Sequence, residues 1–227
     1  MNTMSSATGN GTLTAPVRGN YFAETTYAKT NVRQGVTRTP GGTRLVALSP
    51  DFLLGLRRAV RDECGPAADT VFYTCGVRWG ELFAKRMEGE LSDHYKQSLS
   101  TFSVAMFEGC LSELFSHHGW GKLKLDLGRH GEGLIQAKVK HCMMAELVGD
   151  SDVPTDSLLA GILAGFFRYL TGQDLGCVQT SCEACGSDVS SFILGLQSRL
   201  TGVPSWVENG RSHDEIVDAL ADVRAKD

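Results

Sequence analysis

The chain has 227 residues, of which 42% are hydrophobic and 21% charged, enough for one domain with a core and flanking tails. A net charge of −4 and a pI near 5.9 speak against a nucleic-acid partner, which takes a basic face. No apolar run approaches the roughly 18 residues of a membrane span, and the first residues lack the basic-then-apolar order of a secretory leader.

Residues 1 to about 18 are rich in Ser, Thr, Gly and Asn and are expected to be disordered. Residues 21–43 hold few periodic apolar positions and end in Pro40-Gly41-Gly42, so they read as an arm whose Tyr21, Phe22 and Tyr27 dock on the domain or on a second subunit. The Pro-Gly-Gly turn lacks the Lys-Ser or Lys-Thr of a phosphate loop. Tail and arm together take residues 1–43. Arg44–Leu48 is a short strand. Ser49 and Pro50 open a helix with Phe52, Leu53, Leu56 and Val60 as its buried face. A second helix runs from Pro66 to about Leu91, with Val71, Phe72, Cys75, Trp79, Leu82, Phe83 and Met87 at helical spacing. A third covers roughly Tyr95–Ser116, its inner side carrying Leu99, Phe102, Met106, Phe107, Cys110, Leu111 and Leu114.

Gly119-Trp120-Gly121 ends the helical pattern. Leu123, Leu125 and Leu127 then alternate with Lys122, Lys124 and Asp126, a half-buried strand whose hairpin partner is Leu134–Cys142. After a loop around Pro154 comes Leu158–Phe167, apolar or small throughout, with Gly161 and Gly165 four apart on one helical face. That face admits another backbone or a flat ligand. Gly172 stops the helix, Leu175, Cys177 and Gln179 alternate as in a strand, and Ser191–Leu196 returns after a cysteine-bearing turn. Residues 44–200 form the domain, and 201–227 a linker with a last helix capped by Ser212 and apolar at Ile216, Val217 and Leu220. The expected class is α+β: an antiparallel sheet of about four to five strands with helices packed on one face.

The chain holds seven cysteines, an odd number that fits thiols or metal ligands better than a disulfide framework. Cys182 and Cys185 form a C-x-x-C on a turn close to Cys177, a spacing compatible with zinc, with free thiols or with a redox pair. A closed zinc site needs a fourth ligand, for which Asp156, His141 and Cys142 are the candidates. His117 and His118 fit a helix C-terminus, where positive charge is favoured, and His130 with Glu132 reads as a solvated hairpin loop. Trp79, Phe83, Phe102, Met106, Phe107 and Phe166 compose either an ordinary core or the lining of an apolar pocket. No nucleotide fingerprint, P-loop or nucleophile elbow is present.

The succession LLAGILAGFF, then GQDLGCVQTSCEACG, then a strand opening on Phe resembles the 4-vinyl reductase domain family, also described as hydrocarbon-binding proteins. Gly161, Ala164, Gly165, Cys182, Gly186 and Phe192 are the matching positions, and the resemblance spans about Arg44 to Leu200. It implies the fold of TRAPP subunits and of haem-based nitric-oxide sensors, often dimeric. Together with the cytoplasmic location expected from the lack of a membrane-length run and of a leader pattern, it implies a protein that holds a hydrophobic small molecule, a tetrapyrrole or its precursor among the candidates, as carrier, sensor or assembly factor. Trp79, Phe83, Phe102, Met106, Gly161, Gly165 and Phe166 would line the pocket. Some family members are assigned to bacteriochlorophyll biosynthesis, so the alternative is a tetrapyrrole vinyl reductase, which here would need a partner carrying the hydride donor. A further alternative is a structural subunit that dimerises through its outer helix faces. In aromatic-responsive sensory members a zinc site lies beside the ligand pocket. Here Asp156, Gln179 and Ser190 stand where the family has Cys, Glu and Cys, and only Cys182 is kept. Either Cys177 and Cys185 join Cys182 and Asp156 in a rearranged zinc site, or the metal is absent.

Overall fold

The computed structural model describes residues 21–23 and 27–224, with side chains to 221; the tail expected to be disordered lies outside the described residues. The arm is folded. Its strands β1 (Lys29–Asn31), β2 (Val36–Arg38) and β3 (Arg44–Leu45) make a small antiparallel meander. Gly35, at φ 62°, supplies the left-handed residue of the first turn, and the Thr30 and Thr37 hydroxyls bond across the strands at 2.9 Å. Strands of two or three residues are too short to show a period, which is why this stretch reads as linker. Phe22 and Tyr27 are buried in the main core, so the arm docks on its own domain.

Helix α1 is Pro50–Cys64, and α2 runs from Ala68 to Tyr95, where Lys96 in the left-handed conformation stops it. Helix α3 (Val104–His117) starts at Ser103, whose Oγ accepts the Met106 N–H at 3.3 Å. Strands β4 (Lys122–Asp126) and β5 (Ile135–Lys140) form the expected hairpin. Helices α4 (Met143–Val148) and α5 (Ser157–Thr171), strands β6 (Leu175–Ser181) and β7 (Ser190–Leu196), and helices α6 (Val203–Glu208) and α7 (His213–Arg224) complete the chain. The main sheet is antiparallel throughout, in the order β4-β5-β7-β6.

Alternation places Leu123, Leu125, Ala137, Val139, Phe192, Leu194 and Cys177 in the main core with α2, α3 and α5. The opposite face is covered as well. There Ile193 and Val178 meet Leu200, Val203, Ile216, Val217 and Leu220 from the C-terminal segment. Strand β4 ends the sheet, and its outer edge is closed by α3: the Ser112 hydroxyl donates to the Leu123 carbonyl at 2.7 Å, and the Leu125 N–H donates to Glu108 at 3.1 Å.

Helices α2 and α5 pack by glycines rather than by large side chains. Gly76 and Gly80 of α2 lie against the α5 backbone at Leu158 and Ile162, while Gly161 and Gly165 of α5 lie against the α2 backbone at Tyr73 and Val77. This contact turns the other side of α2 outward. Val71 and Leu82, expected inside, are exposed, and so are Phe52 and Leu56 of α1. The buried side chain of α1 is Arg57, only 7% exposed.

One imidazole fastens α7 to the sheet. His213 Nε2 lies 2.9 Å from the Gln136 oxygen and Nδ1 lies 2.7 Å from the Thr180 hydroxyl, an arrangement that fits a neutral ring donating at Nε2 and accepting at Nδ1. Burial, then Lys138, holds its pKa below the ordinary 6.5, while Asp214 and Asp126 pull the other way. Because the folded value is lowered, this contribution to stability is complete above the unfolded pKa and is lost as pH falls below it toward the folded value. Melting temperature should therefore drop as pH falls below about 6.5, the ordinary imidazole value, and His213→Gln should flatten that part of the profile. Equal slopes for the two proteins would contradict the clasp.

Candidate functional site

The aromatic side chains of α2, α3 and α5 meet those of the α3–β4 junction in one layer. Phe83 is its hub, with ring centroids 4.7 Å from Trp79, 5.3 Å from Trp120, 5.2 Å from His118, 6.3 Å from Phe115 and 5.9 Å from Phe166. Trp120 is set between Gly119 and Gly121, both at positive φ, so the chain turns sharply enough to send the indole back over α2. His118 does not serve as a charged helix terminus. Its Nδ1 bonds the Leu114 carbonyl at 2.9 Å, and burial lowers its pKa, which keeps the ring neutral among the aromatics.

Of the expected pocket residues, Trp79, Phe83 and Phe166 join this layer. Phe102 packs instead against Tyr95, at 5.4 Å, and Met106 stands in the first turn of α3. Gly161 and Gly165 face no open space, because the α2 backbone fills the room their missing side chains leave. A small, partly open cavity of about 20 Å³ lies to one side, lined by Trp120, Met143, Asp156, Leu158, Leu159 and Ile162. That volume holds about one water molecule. A larger, open groove of about 590 Å³ runs along the outer side of α2 over Val71, Cys75, Arg78, Trp79 and Leu82.

Asp156 is the one charged group on the small cavity, and it also caps α5. Its Oδ1 accepts the Leu159 N–H at 2.8 Å, its Oδ2 accepts the Cys142 thiol at 3.3 Å, and its own N–H donates to Gln179 Oε1 at 2.9 Å. Burial pushes its carboxyl up to about 6, against the Leu159 N–H, the Cys142 thiol and Arg57, which favour ionisation. Burial, then Asp156, pushes the Cys142 and Cys177 thiols up. Around this centre, the Arg57 guanidinium donates to the Thr155 carbonyl at 2.8 Å, and the Thr155 hydroxyl meets Cys182 Sγ at 3.4 Å. Glu183 accepts the backbone N–H groups of His141 at 3.0 Å and Cys142 at 2.8 Å, which ties the end of β5 to the β6–β7 turn.

The expected metal set is not brought together. Cys177 points into the main core by strand alternation, Cys185 is exposed at the end of its turn, and Asp156 is engaged with Cys142 and Gln179. Among the described residues, no three His, Cys, Asp or Glu side chains are placed to share an ion. Cys182 and Cys185 remain neighbours, and burial, then Cys182, pushes the Cys185 thiol up to about 11, away from the thiolate form that redox chemistry uses. Trp120 and Ile162 were not among the expected pocket residues, although the glycines on both sides of Trp120 were an available signal for the sharp turn that brings its indole there.

Residues 135–196 match the model of the 4-vinyl reductase domain family, the family that the sequence resembles. No curated protein matches the chain by sequence. Among solved structures, the phenol-responsive sensory domain of the transcription activator PoxR, determined with phenol, aligns with a TM-score of 0.60 and 16% identity over 80% of this chain and 90% of that one. A vinyl-4-reductase family protein of Methanocaldococcus jannaschii aligns at 0.46 and 16% identity, covering 66% of this chain and 82% of that one. A trafficking protein particle complex subunit 3 of Naegleria fowleri, covalently bound to palmitic acid, aligns at 0.47 and 11%, covering 65% and 95%. The α+β fold is thus shared with the PoxR sensory domain. Among the described residues no helix is long and apolar enough to cross a membrane.

Proposed function

We propose a sensory-type role in which the domain binds a small aromatic molecule between the start of α5, helix α4 and the Trp120 junction. The observation that carries this reading is the cavity beside the aromatic layer, apolar on every side except for the Asp156 carboxyl. Such a lining takes an aromatic ring and orients it by one hydrogen bond from a hydroxyl to Asp156. Size selects among guests. At about 20 Å³ the void holds one water, so even a single ring enters only by displacing the flexible Met143 side chain, and a tetrapyrrole would have to part α5 from its neighbours. The match of residues 135–196 to a family of ligand-binding domains supports the class of function, and the PoxR domain, solved with phenol, supports the choice of a phenol as the first probe.

Titration of phenol and alkylphenols, followed by the fluorescence of Trp79 and Trp120, should give a saturable change. Asp156→Asn should weaken it about tenfold, the loss of one charge-assisted hydrogen bond. A signal that stays linear with concentration, identical in both proteins, would overturn the reading.

A second reading, a homodimer joined through the outer helix faces, rests on a separate observation. Phe52, Leu56, Val71 and Leu82 are large, apolar and exposed on α1 and α2, and the open groove of about 590 Å³ lies among the last two. Light scattering after gel filtration should give twice the chain mass for the native protein and the single-chain mass for Leu82→Glu. A monomeric native protein would remove this reading and leave the first untouched.

A further inference from the structure

The start of α5 and the β6–β7 turn hold the four positions at which the family resemblance implies a zinc ion, here Asp156, Gln179, Cys182 and Ser190. These residues do not fit one. Asp156 is the only carboxylate among the four, and each of its oxygens already takes one protein donor, the Leu159 N–H and the Cys142 thiol, which leaves room for a single further hydrogen bond rather than for the charge a closed zinc site needs. Gln179 Oε1 accepts the Asp156 N–H, which fixes the opposite orientation for its amide nitrogen. That nitrogen is buried with no hydrogen-bond partner among the described residues, so the position offers a donor where an ion needs a lone pair. The Ser190 hydroxyl binds the Glu183 carboxylate at 3.4 Å and the Glu183 N–H at 3.2 Å. Cys182 is the one thiol left, and it pairs with the Thr155 hydroxyl.

We infer that Arg57 of α1 takes over the charge-balancing and cross-linking part of the ion, making this a metal-independent site. The guanidinium is buried, is hydrogen-bonded to the carbonyl of the residue before Asp156, and lies within electrostatic reach of both Asp156 and Cys182. It joins α1 to the start of α5, and through Thr155 it reaches the β6–β7 turn, as an ion held by those segments would. An always-charged planar donor suits the task, because from its hydrogen bond to the Thr155 carbonyl it sets positive charge near a buried carboxylate without asking the neighbouring thiols to ionise. The burial of an arginine on an otherwise exposed amphipathic helix is thereby explained.

The test uses the full chain, expressed in zinc-supplemented medium and purified without chelator. Elemental analysis should find zinc far below one ion per chain, and a chelator should leave the melting temperature unchanged. One zinc per chain, or a chelator-induced fall in melting temperature, would overturn the inference. Arg57→Met should lower the melting temperature by roughly 5 °C and speed the reaction of buried thiols with an aromatic disulfide reagent, while Arg57→Lys restores part of both. A folded Arg57→Met protein with native melting temperature and native thiol protection would equally overturn it. Gln179→Glu combined with Ser190→Cys, which restores two anionic donors, should gain zinc. Failure of that variant to gain it would contradict the donor argument.

Discussion

Replacing Gly165 with alanine should destabilise the domain by about 3 kcal/mol, the upper end for an overpacked interior, and lower the melting temperature by roughly 10 °C. A Cβ at this position would stand 2.7 Å from the carbonyl carbon and 2.9 Å from the Cα of Val77, and those are backbone atoms that cannot rotate away. Its partner positions are as tight: a Cβ on Gly80 would meet the Phe166 nitrogen at 2.9 Å, and one on Gly76 the Ile162 nitrogen at 2.8 Å. The two helices would have to separate, and that would open the interface on which both the aromatic layer and the Asp156 cap are mounted. Gly89 provides the control. It lies on α2, the partner helix of α5, with nothing near its missing side chain, so Gly89→Ala should be neutral or stabilise by up to about 1 kcal/mol through helix propensity alone. Equal effects at the two sites in denaturant titrations would sink the glycine-contact account.

Phe83→Ala is the second large effect, at about 3–5 kcal/mol, the usual range for truncating a buried phenylalanine. The residue is 3% exposed and touches five other rings, so truncation removes the centre of the layer rather than one contact at its margin. The hole it leaves is walled by Trp79, Phe115, Trp120 and Phe166, with the neutral His118 ring, whose Nδ1 is already bonded to the Leu114 carbonyl, as its one polar neighbour. Benzene added to the variant should recover part of the lost melting temperature and should do less for the native protein. A cost below about 1 kcal/mol would mean that the layer is loosely packed and that Phe83 is not its centre.

Much of this fold was legible because its signals are local. The Leu123-Leu125-Leu127 alternation located the first hairpin, and the uninterrupted apolar run at Leu158–Phe167 followed by Gly172 located α5. The two small-residue positions on α5 signal a close approach by a backbone or a flat ligand, and the pocket reading gave them to the ligand, whereas the structure gives them to a backbone. What filled the gap, the α2 backbone, depends on glycines at Gly76 and Gly80, which a hydrophobic-stripe reading of α2 passes over. The same reading put Val71 and Leu82 inside, because a helix with apolar residues on two sides does not declare which side is buried.

The candidate site was less legible, for physical reasons. Its residues come from five separated segments: Arg57, the Trp120 junction, Cys142 with Met143, Thr155–Ile162, and Gln179 to Glu183 with Ser190. No local period links such distant positions. The C-x-x-C at Cys182 drew attention to metal chemistry, yet alternation sends Cys177 one way and the turn sends Cys185 to the surface. A buried arginine on α1 has no sequence signal, since the same pattern describes a solvated one.

A crystal structure of the full chain with a saturating alkylphenol would test the central claim most directly. The account predicts the ring between Trp120, Met143 and Ile162, its hydroxyl within hydrogen-bond distance of Asp156, and Met143 displaced to make room. Ligand found only in the outer groove over Val71 and Leu82, with the inner cavity still closed, would contradict it.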